Sequence, residues 1–319
     1  MLNGKCPVNV SLRKIPDRKI IFDSRDMDVH GEFADISELQ RVGDPIDSFV
    51  LQKAALLACG IIPPSGGDLS SVLDYLGGGF ILNTEVIGVP KGSGLGTSSI
   101  LAAACVRCIF EFFGIPYREE DLYSHALVME QIMSTGGGWQ DQVGGVTPGI
   151  KYITSKPGLH QKLRVDHVSL DESTKRELNE RFALIYTGQR RLARNILRDV
   201  VCRCIGNEPE TIYALNEIQR KAALMRFELE RGNIDGFGSL LNEHWELSKM
   251  IDHGTTNTLI DQIFDSVDGL LSGKMVCGAG GGGFLQVLLN KGTTKEELNN
   301  KLSSVFQDTD IGIWDCEIV

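Results

Sequence analysis

The run Pro90-Lys91-Gly92-Ser93-Gly94-Leu95-Gly96-Thr97-Ser98-Ser99 separates two segments of different period. Upstream, Phe80, Leu82, Thr84 and Val86 alternate along one face, which predicts a strand over 80–89. Downstream, Leu101, Ala104, Ile109 and Phe112 form an apolar series that predicts a helix over 100–113, its first turn supplied by Thr97-Ser98-Ser99. Glycines at 92, 94 and 96 let consecutive backbone N–H groups turn inward as an anion-binding nest. The helix that follows adds its unpaired N–H groups and the positive end of its dipole. The serine hydroxyls are hard oxygen donors of the kind Mg²⁺ accepts beside a triphosphate. The Gly-Lys-Ser/Thr ending of a Walker loop is absent. The segment reads as a different phosphate loop, the competing reading being a linker with a hydroxyl cap.

Composition narrows the class. The chain has 319 residues, 42% hydrophobic and 23% charged, with a mean hydropathy of -0.05, which describes a globular chain of one large or two medium domains. A net charge of -10 and a pI near 5.2 disfavour nucleic acid or an anionic membrane as the main partner. The departure from average is glycine, 36 residues against the roughly 7% usual in proteins. Residues 1–5 carry no apolar export signal, and the longest apolar stretch, 54–62, is too short to span a bilayer. Of the eight cysteines, Cys105 and Cys108 join the apolar helix series and read as small core residues rather than zinc ligands. Reduced thiols and a cytoplasmic location follow.

Short strands are expected near 7–10 and 19–22, and Asp44-Pro45 reads as the opening of a helix that Gly60 closes. Helices are expected near 119–133, 190–205, 209–231, 238–251, 256–267 and 294–306, with strands near 181–186, 274–277, 284–289 and 311–318. The fold class is mixed α/β, with a domain boundary near 175 dividing 1–175 from 176–319.

Two further glycine clusters carry chemistry. Thr135-Gly136-Gly137-Gly138-Trp139-Gln140-Asp141-Gln142-Val143-Gly144-Gly145 reads as a glycine-rich turn with a carboxylate, amides and an indole. Trp139 could stack on a sugar ring or anchor a core, and Asp141 could accept a proton from a hydroxyl. Glu130 borders an apolar helix face (Leu122, Ala126, Met129, Met133), where spacing alone favours a surface ion pair. Gly278-Ala279-Gly280-Gly281-Gly282-Gly283 matches a dinucleotide fingerprint formally, but a strand follows it instead of the required helix. It reads as a tight hairpin packing against the first loop, and an NAD-dependent oxidoreductase is the weakest reading.

Pro90–Ser99 and Gly278–Gly283 resemble the second and third motifs of the GHMP kinases, the galactokinase, homoserine, mevalonate and phosphomevalonate kinase superfamily. Within it, residues 94–104, 136–142 and 186–194 resemble the L-fucose kinases, with the related heptose-phosphate kinases as alternative. The resemblance implies a ribosomal-protein-S5-like N-terminal domain and a ferredoxin-like C-terminal domain with extra helices. It implies ATP and Mg²⁺ as cofactors, a small sugar as substrate, and phosphorylation of its anomeric hydroxyl; a homo-oligomer is compatible with it. Lys91, Gly92, Ser93, Gly94, Leu95, Gly96, Thr97, Ser98 and Ser99, with Gly280 and Gly281, would surround the ATP phosphates. Ser98 and Glu130 would hold the metal, which reverses the spacing-only reading of Glu130. Asp141 would take or orient the proton of the acceptor hydroxyl, and Gly137, Gly138, Trp139 and Gln140 would hold the sugar. The family's first motif, a Gly-Gly-Trp-x-Asp-Thr-Pro-Pro run, is expected upstream of the segment that residues 3–7 resemble and does not occur in this sequence. A nucleotide-binding module without turnover is the second reading from a different class.

Overall fold

The computed structural model describes residues 6–318 apart from 45, 91, 135–137, 159–161, 190–193 and 315. Contacts divide them into two units, Cys6–Val89 with Gly96–Thr147, and Pro90–Leu95 with Pro148–Val319.

The first unit contains β1 (Val8–Ile15), β2 (Ile20–Ser24), β3 (Val29–Phe33), α1 (Ile36–Leu39), α2 (Val50–Ala58), α3 (Leu69–Leu76), β4 (Gly79–Val86), α4 (Thr97–Phe113), α5 (Glu119–Ile132) and α6 (Gln140–Val146). Its sheet runs β1-β4-β2-β3, with β2 and β4 parallel and the other pairs antiparallel. Phe22, Phe80 and Leu82 from the sheet share one buried core with Leu56 of α2, Ala102, Val106 and Ile109 of α4, and Met129 of α5. Cys105 lies in that core as expected, and Cys108 is half-buried. α4 stops at Gly114, which takes the left-handed conformation (φ 68°) and returns its N–H to the carbonyl of Phe110.

The second unit contains β5 (Lys151–Ser155), β6 (Leu163–His167), α7 (Glu172–Arg181), β7 (Phe182–Tyr186), α8 (Arg194–Ile205), α9 (Pro209–Glu230), α10 (Ile234–Ile251), α11 (Thr258–Val267), β8 (Leu271–Val276), β9 (Phe284–Leu289), α12 (Lys295–Val305) and β10 (Gly312–Trp314). The sheet β10-β7-β9-β8 is antiparallel throughout. A β-α-β-β-α-β chain order with that arrangement is ferredoxin-like, and α8–α11 occupy the first crossover.

Four local readings differ from the sequence expectation. Asp44 does not cap a helix: its carboxylate accepts from the Ile46 N–H at 2.9 Å, Asp47 does the same for Phe49 at 2.8 Å, and α2 starts only at Val50. Such side-chain turns compete with helix formation. The glycine-rich stretch ending at 145 is not all turn, since α6 runs through Gly144 and Gly145. Residues 148–175 group with the second unit, where Ile150, Tyr152 and Val168 pack with Leu229 and Leu241. α10 begins four residues earlier than expected, through two glycines, because Asn233 caps it by accepting from the Gly236 N–H.

Gly238 is needed for contact rather than flexibility. A Cβ there would stand 2.9 Å from the carbonyl oxygen of Ser272, and a Cβ on Gly273 would meet the Gly238 Cα at 2.7 Å. α10 therefore lies backbone to backbone on β8. Gly238→Val should destabilise the protein by about 1–3 kcal/mol through overpacking, read by urea denaturation. An unchanged midpoint would show that α10 and β8 are not in this contact.

Candidate active site

In the first unit the site begins with the way α4 starts. Gly96 caps it in the left-handed conformation (φ 65°), with no side-chain hydrogen bond to the cap. The first-turn N–H groups thus lack a side-chain acceptor, the arrangement that suits an anion. The missing Cβ has a second consequence: one placed on Gly96 would lie 3.0 Å from Cγ of Asp141 and 3.3 Å from its Oδ1. Asp141 is held against the start of α4 by this glycine. Further along α6, a Cβ on Gly145 would lie 2.4 Å from Cγ1 of Ile100, so α6 lies directly on the first turn of α4.

Ser98 is exposed, whereas its neighbour Ser99 is 5% exposed and donates its hydroxyl to Oε1 of Glu130. Glu130, on α5, is 6% exposed, so the surface ion pair suggested by spacing does not form. Burial pushes the Glu130 carboxyl above the usual range, the Ser99 and Gln142 side chains pull it back, and the charge of Asp141 adds an upward push. Asp141 is raised by the protein packed around it, although one side stays open to water. Gln142 is fully buried on α6. It is close enough to stabilise the Glu130 carboxylate, yet neither of its amide atoms reaches full hydrogen-bond geometry. Trp139 is half-buried just before α6 and belongs to none of the described core clusters, while Gly138 and Gln140 are exposed. Lys91 and Gly137 lie outside the described residues.

In the second unit the two other glycine segments interlock. Gly92, Gly94, Gly278, Gly280, Gly281 and Gly283 all have positive φ. A Cβ on Gly283 would stand 2.2 Å from the carbonyl oxygen of Ser93, one on Gly94 2.6 Å from that of Cys277, and one on Gly280 2.4 Å from that of Thr255. The Phe284 N–H donates to the Ser93 carbonyl at 2.9 Å, the Gly281 N–H to Thr255 at 2.7 Å, and the Gly283 N–H to Gln189 at 2.9 Å. The Thr187 hydroxyl donates to the Gly283 carbonyl at 2.9 Å and the Asn257 amide to that of Gly281 at 3.1 Å. The hairpin expected at Gly278–Gly283 therefore does pack against Gly92–Leu95. Sequence reading did not find Thr187, Gln189 and Asn257 as its braces, nor the pairing of Ser99 with Glu130. The helical phase of Thr97-Ser98-Ser99, in which adjacent side chains point about 100° apart, was the available signal for the latter.

Residues 71–149 match the family profile described as GHMP kinases N terminal domain. The chain is 33% identical over 294 residues to the L-fucokinase/L-fucose-1-P guanylyltransferase of Bacteroides fragilis, covering 90% of this chain and 31% of that protein. It is 36% identical over 256 residues to the bifunctional fucokinase/GDP-fucose pyrophosphorylase of Arabidopsis thaliana, covering 80% of this chain and 23% of that one. A D-glycero-alpha-D-manno-heptose 7-phosphate kinase of Campylobacter jejuni is 26% identical over 281 residues, covering 87% of this chain and 77% of the relative. The Methanococcus jannaschii mevalonate kinase structure shares the fold with a TM-score of 0.68 at 18% identity, over 98% of this chain and 90% of that one. The chain carries the N-terminal domain of the GHMP kinases at residues 71–149. It spans less than a third of the length of the two fucokinase relatives.

Among the described residues of this chain, no three or more His, Cys, Asp or Glu side chains are grouped to hold a metal by themselves. Mg²⁺ is commonly held by one or two carboxylates together with substrate phosphates. The buried Glu130 carboxylate, raised in pKa and near a second carboxylate, and the exposed Ser98 hydroxyl fit that donor set. No helix among the described residues is long and apolar enough to cross a membrane.

The loop reading predicts that Mg·ATP raises the melting temperature, by the equivalent of about 2.7 kcal/mol at a concentration about 100 times Kd. Gly94→Val, whose side chain would run into the Cys277 carbonyl, should remove that shift. An ATP-induced shift of unchanged size in the variant would show that the loop does not hold the nucleotide.

Proposed function

We propose that this chain is the kinase region of an ATP-dependent sugar kinase that phosphorylates the anomeric hydroxyl of L-fucose, giving L-fucose 1-phosphate and ADP. The observation that carries the reading is the carboxylate of Asp141 held at the uncapped start of α4 by the missing Cβ of Gly96. A proton acceptor and a set of anion-binding N–H groups thereby sit at one place. The likeness to two fucokinases supports the choice of sugar.

In this reading residues 92–99, with Gly280 and Gly281, receive the triphosphate through backbone N–H groups and hydroxyls. Ser98 and Glu130 hold Mg²⁺, which neutralises charge on the phosphates and orients the γ-phosphoryl group. Gly137, Gly138, Trp139 and Gln140 hold the sugar, with the half-buried indole available for stacking on a ring face. Asp141 accepts the hydroxyl proton, or orients the hydroxyl, as the sugar oxygen forms its bond to the γ-phosphorus and the bond to the ADP oxygen breaks. The raised pKa that its surroundings give Asp141 favours a carboxylate that can take up a proton.

ADP release with and without L-fucose tests the assignment. Fucose-dependent release supports it. Release that responds only to a heptose phosphate assigns the site to that sugar, and ATP binding without release in either case makes the chain a binding module. General-base contributions are typically ~10²–10⁴-fold, so Asp141→Asn should cost about that much in turnover while leaving ATP affinity nearly intact. A variant keeping more than about a tenth of parental turnover would take Asp141 out of the mechanism.

A further inference from the structure

α4 and α6 share a pattern in the first unit. Each presents a residue of the proposed chemistry to solvent, Ser98 on α4 and Asp141 on α6, and each buries the next residue, Ser99 and Gln142. Both buried residues act on one side chain, Glu130 of α5. Ser99 donates its hydroxyl to Oε1, while the Gln142 amide, fully buried on α6 with no hydrogen-bond partner, is near enough to lower the proton affinity of the carboxylate. α6 lies against α4 through the close approach of Gly145 to Ile100, so the two residues reach the Glu130 region from adjacent, packed helices.

Gln142 is unusual on energetic grounds. Burying an amide whose two polar atoms find no hydrogen-bond partner costs stability, and a methionine of similar length would avoid that cost. A residue retained only for packing has no reason to be a glutamine here. An amide beside a buried carboxylate can instead hold that carboxylate in one rotamer.

We infer that Ser99 and Gln142 are positioning residues that hold Glu130 in the orientation required to bind a divalent cation. Neither touches the cation, the nucleotide or the sugar. The inference rests on the proposed metal role of Glu130. Loss of outer hydrogen-bond partners of a metal ligand costs about 10–100-fold in metal affinity.

The test is a Mn²⁺ titration in the presence of ATP, followed by electron paramagnetic resonance, with the melting temperature of each variant measured without metal. Ser99→Ala should weaken Mn²⁺ binding about 10-fold, and Ser99→Thr, which keeps the hydroxyl, should restore most of it. Gln142→Met should also weaken Mn²⁺ binding while leaving the melting temperature unchanged or raised. A purely structural glutamine would give the opposite pair of results, a lower melting temperature with unaltered Mn²⁺ affinity, and would overturn the inference. Glu130→Gln separates this failure from failure of the metal assignment. If it abolishes Mn²⁺ binding while Ser99→Ala and Gln142→Met do not alter it, the positioning role is wrong and the metal site stands. If Glu130→Gln leaves binding unchanged, the metal site itself is wrong.

Discussion

Backbone meets backbone where two glycine-rich segments of the second unit interlock, and the candidate nucleotide loop depends on that contact. The Ser93 carbonyl accepts from the first residue of β9, and Gly283 lies so close that any Cβ would occupy the space of the carbonyl oxygen. No side chain other than hydrogen fits at Gly283 or Gly94, and both have positive φ, which L side chains rarely adopt. Leu95 adds an apolar hold by packing with Leu184, Tyr186 and Phe284. The loop is thus tied to the sheet at both its backbone and its last side chain. Its glycines serve close approach.

In the first unit the same device recurs on a smaller scale. Gly96 admits Asp141, and Gly145 admits Ile100, so the short helix α6 can lie against the first turn of α4. Exposure then separates the two acidic groups. Glu130 is buried and accepts from the Ser99 hydroxyl, whereas Asp141 keeps an open side where a substrate hydroxyl could approach. Asp141 lies close enough to raise the proton affinity of Glu130, and a place where a carboxylate is disfavoured by a neighbouring carboxylate is one where positive charge is stabilised. That is the electrostatic case for a cation beside a phosphate loop in a chain of net charge -10.

Much of this was legible in the sequence because its periods are strong. The alternation before Pro90 became β4, the apolar series after Gly96 became α4, and Phe284–Leu289 became the strand that ruled against a dinucleotide fold. The glycine-rich loop and the hairpin it packs against were legible as glycine spacing. What stayed hidden has physical reasons. Glycines at 144 and 145 signal a turn by propensity, but tertiary contact with Ile100 selects helix, as contact with β8 does for Gly238 in α10. Asp44 has the composition of a cap and instead makes a local turn. Glu130 stands at the margin of an apolar face, so spacing cannot say whether it points out or in, and only the position of Ser99 decides. Resemblance placed the metal on Ser98 and Glu130, and the helical phase gives the neighbouring Ser99 a separate role.

The central claim is that the start of α4, with Glu130 and Asp141, forms a phosphoryl-transfer centre. A crystal structure with Mn²⁺ and a non-hydrolysable ATP analogue tests it most directly, because anomalous scattering locates the cation without reference to turnover. The account predicts an anomalous peak about 2.0–2.2 Å from an oxygen of Glu130 and from the Ser98 hydroxyl, with phosphate oxygens on the N–H groups of residues 92–99. A cation peak remote from Glu130, or a triphosphate bound away from that loop, would contradict it.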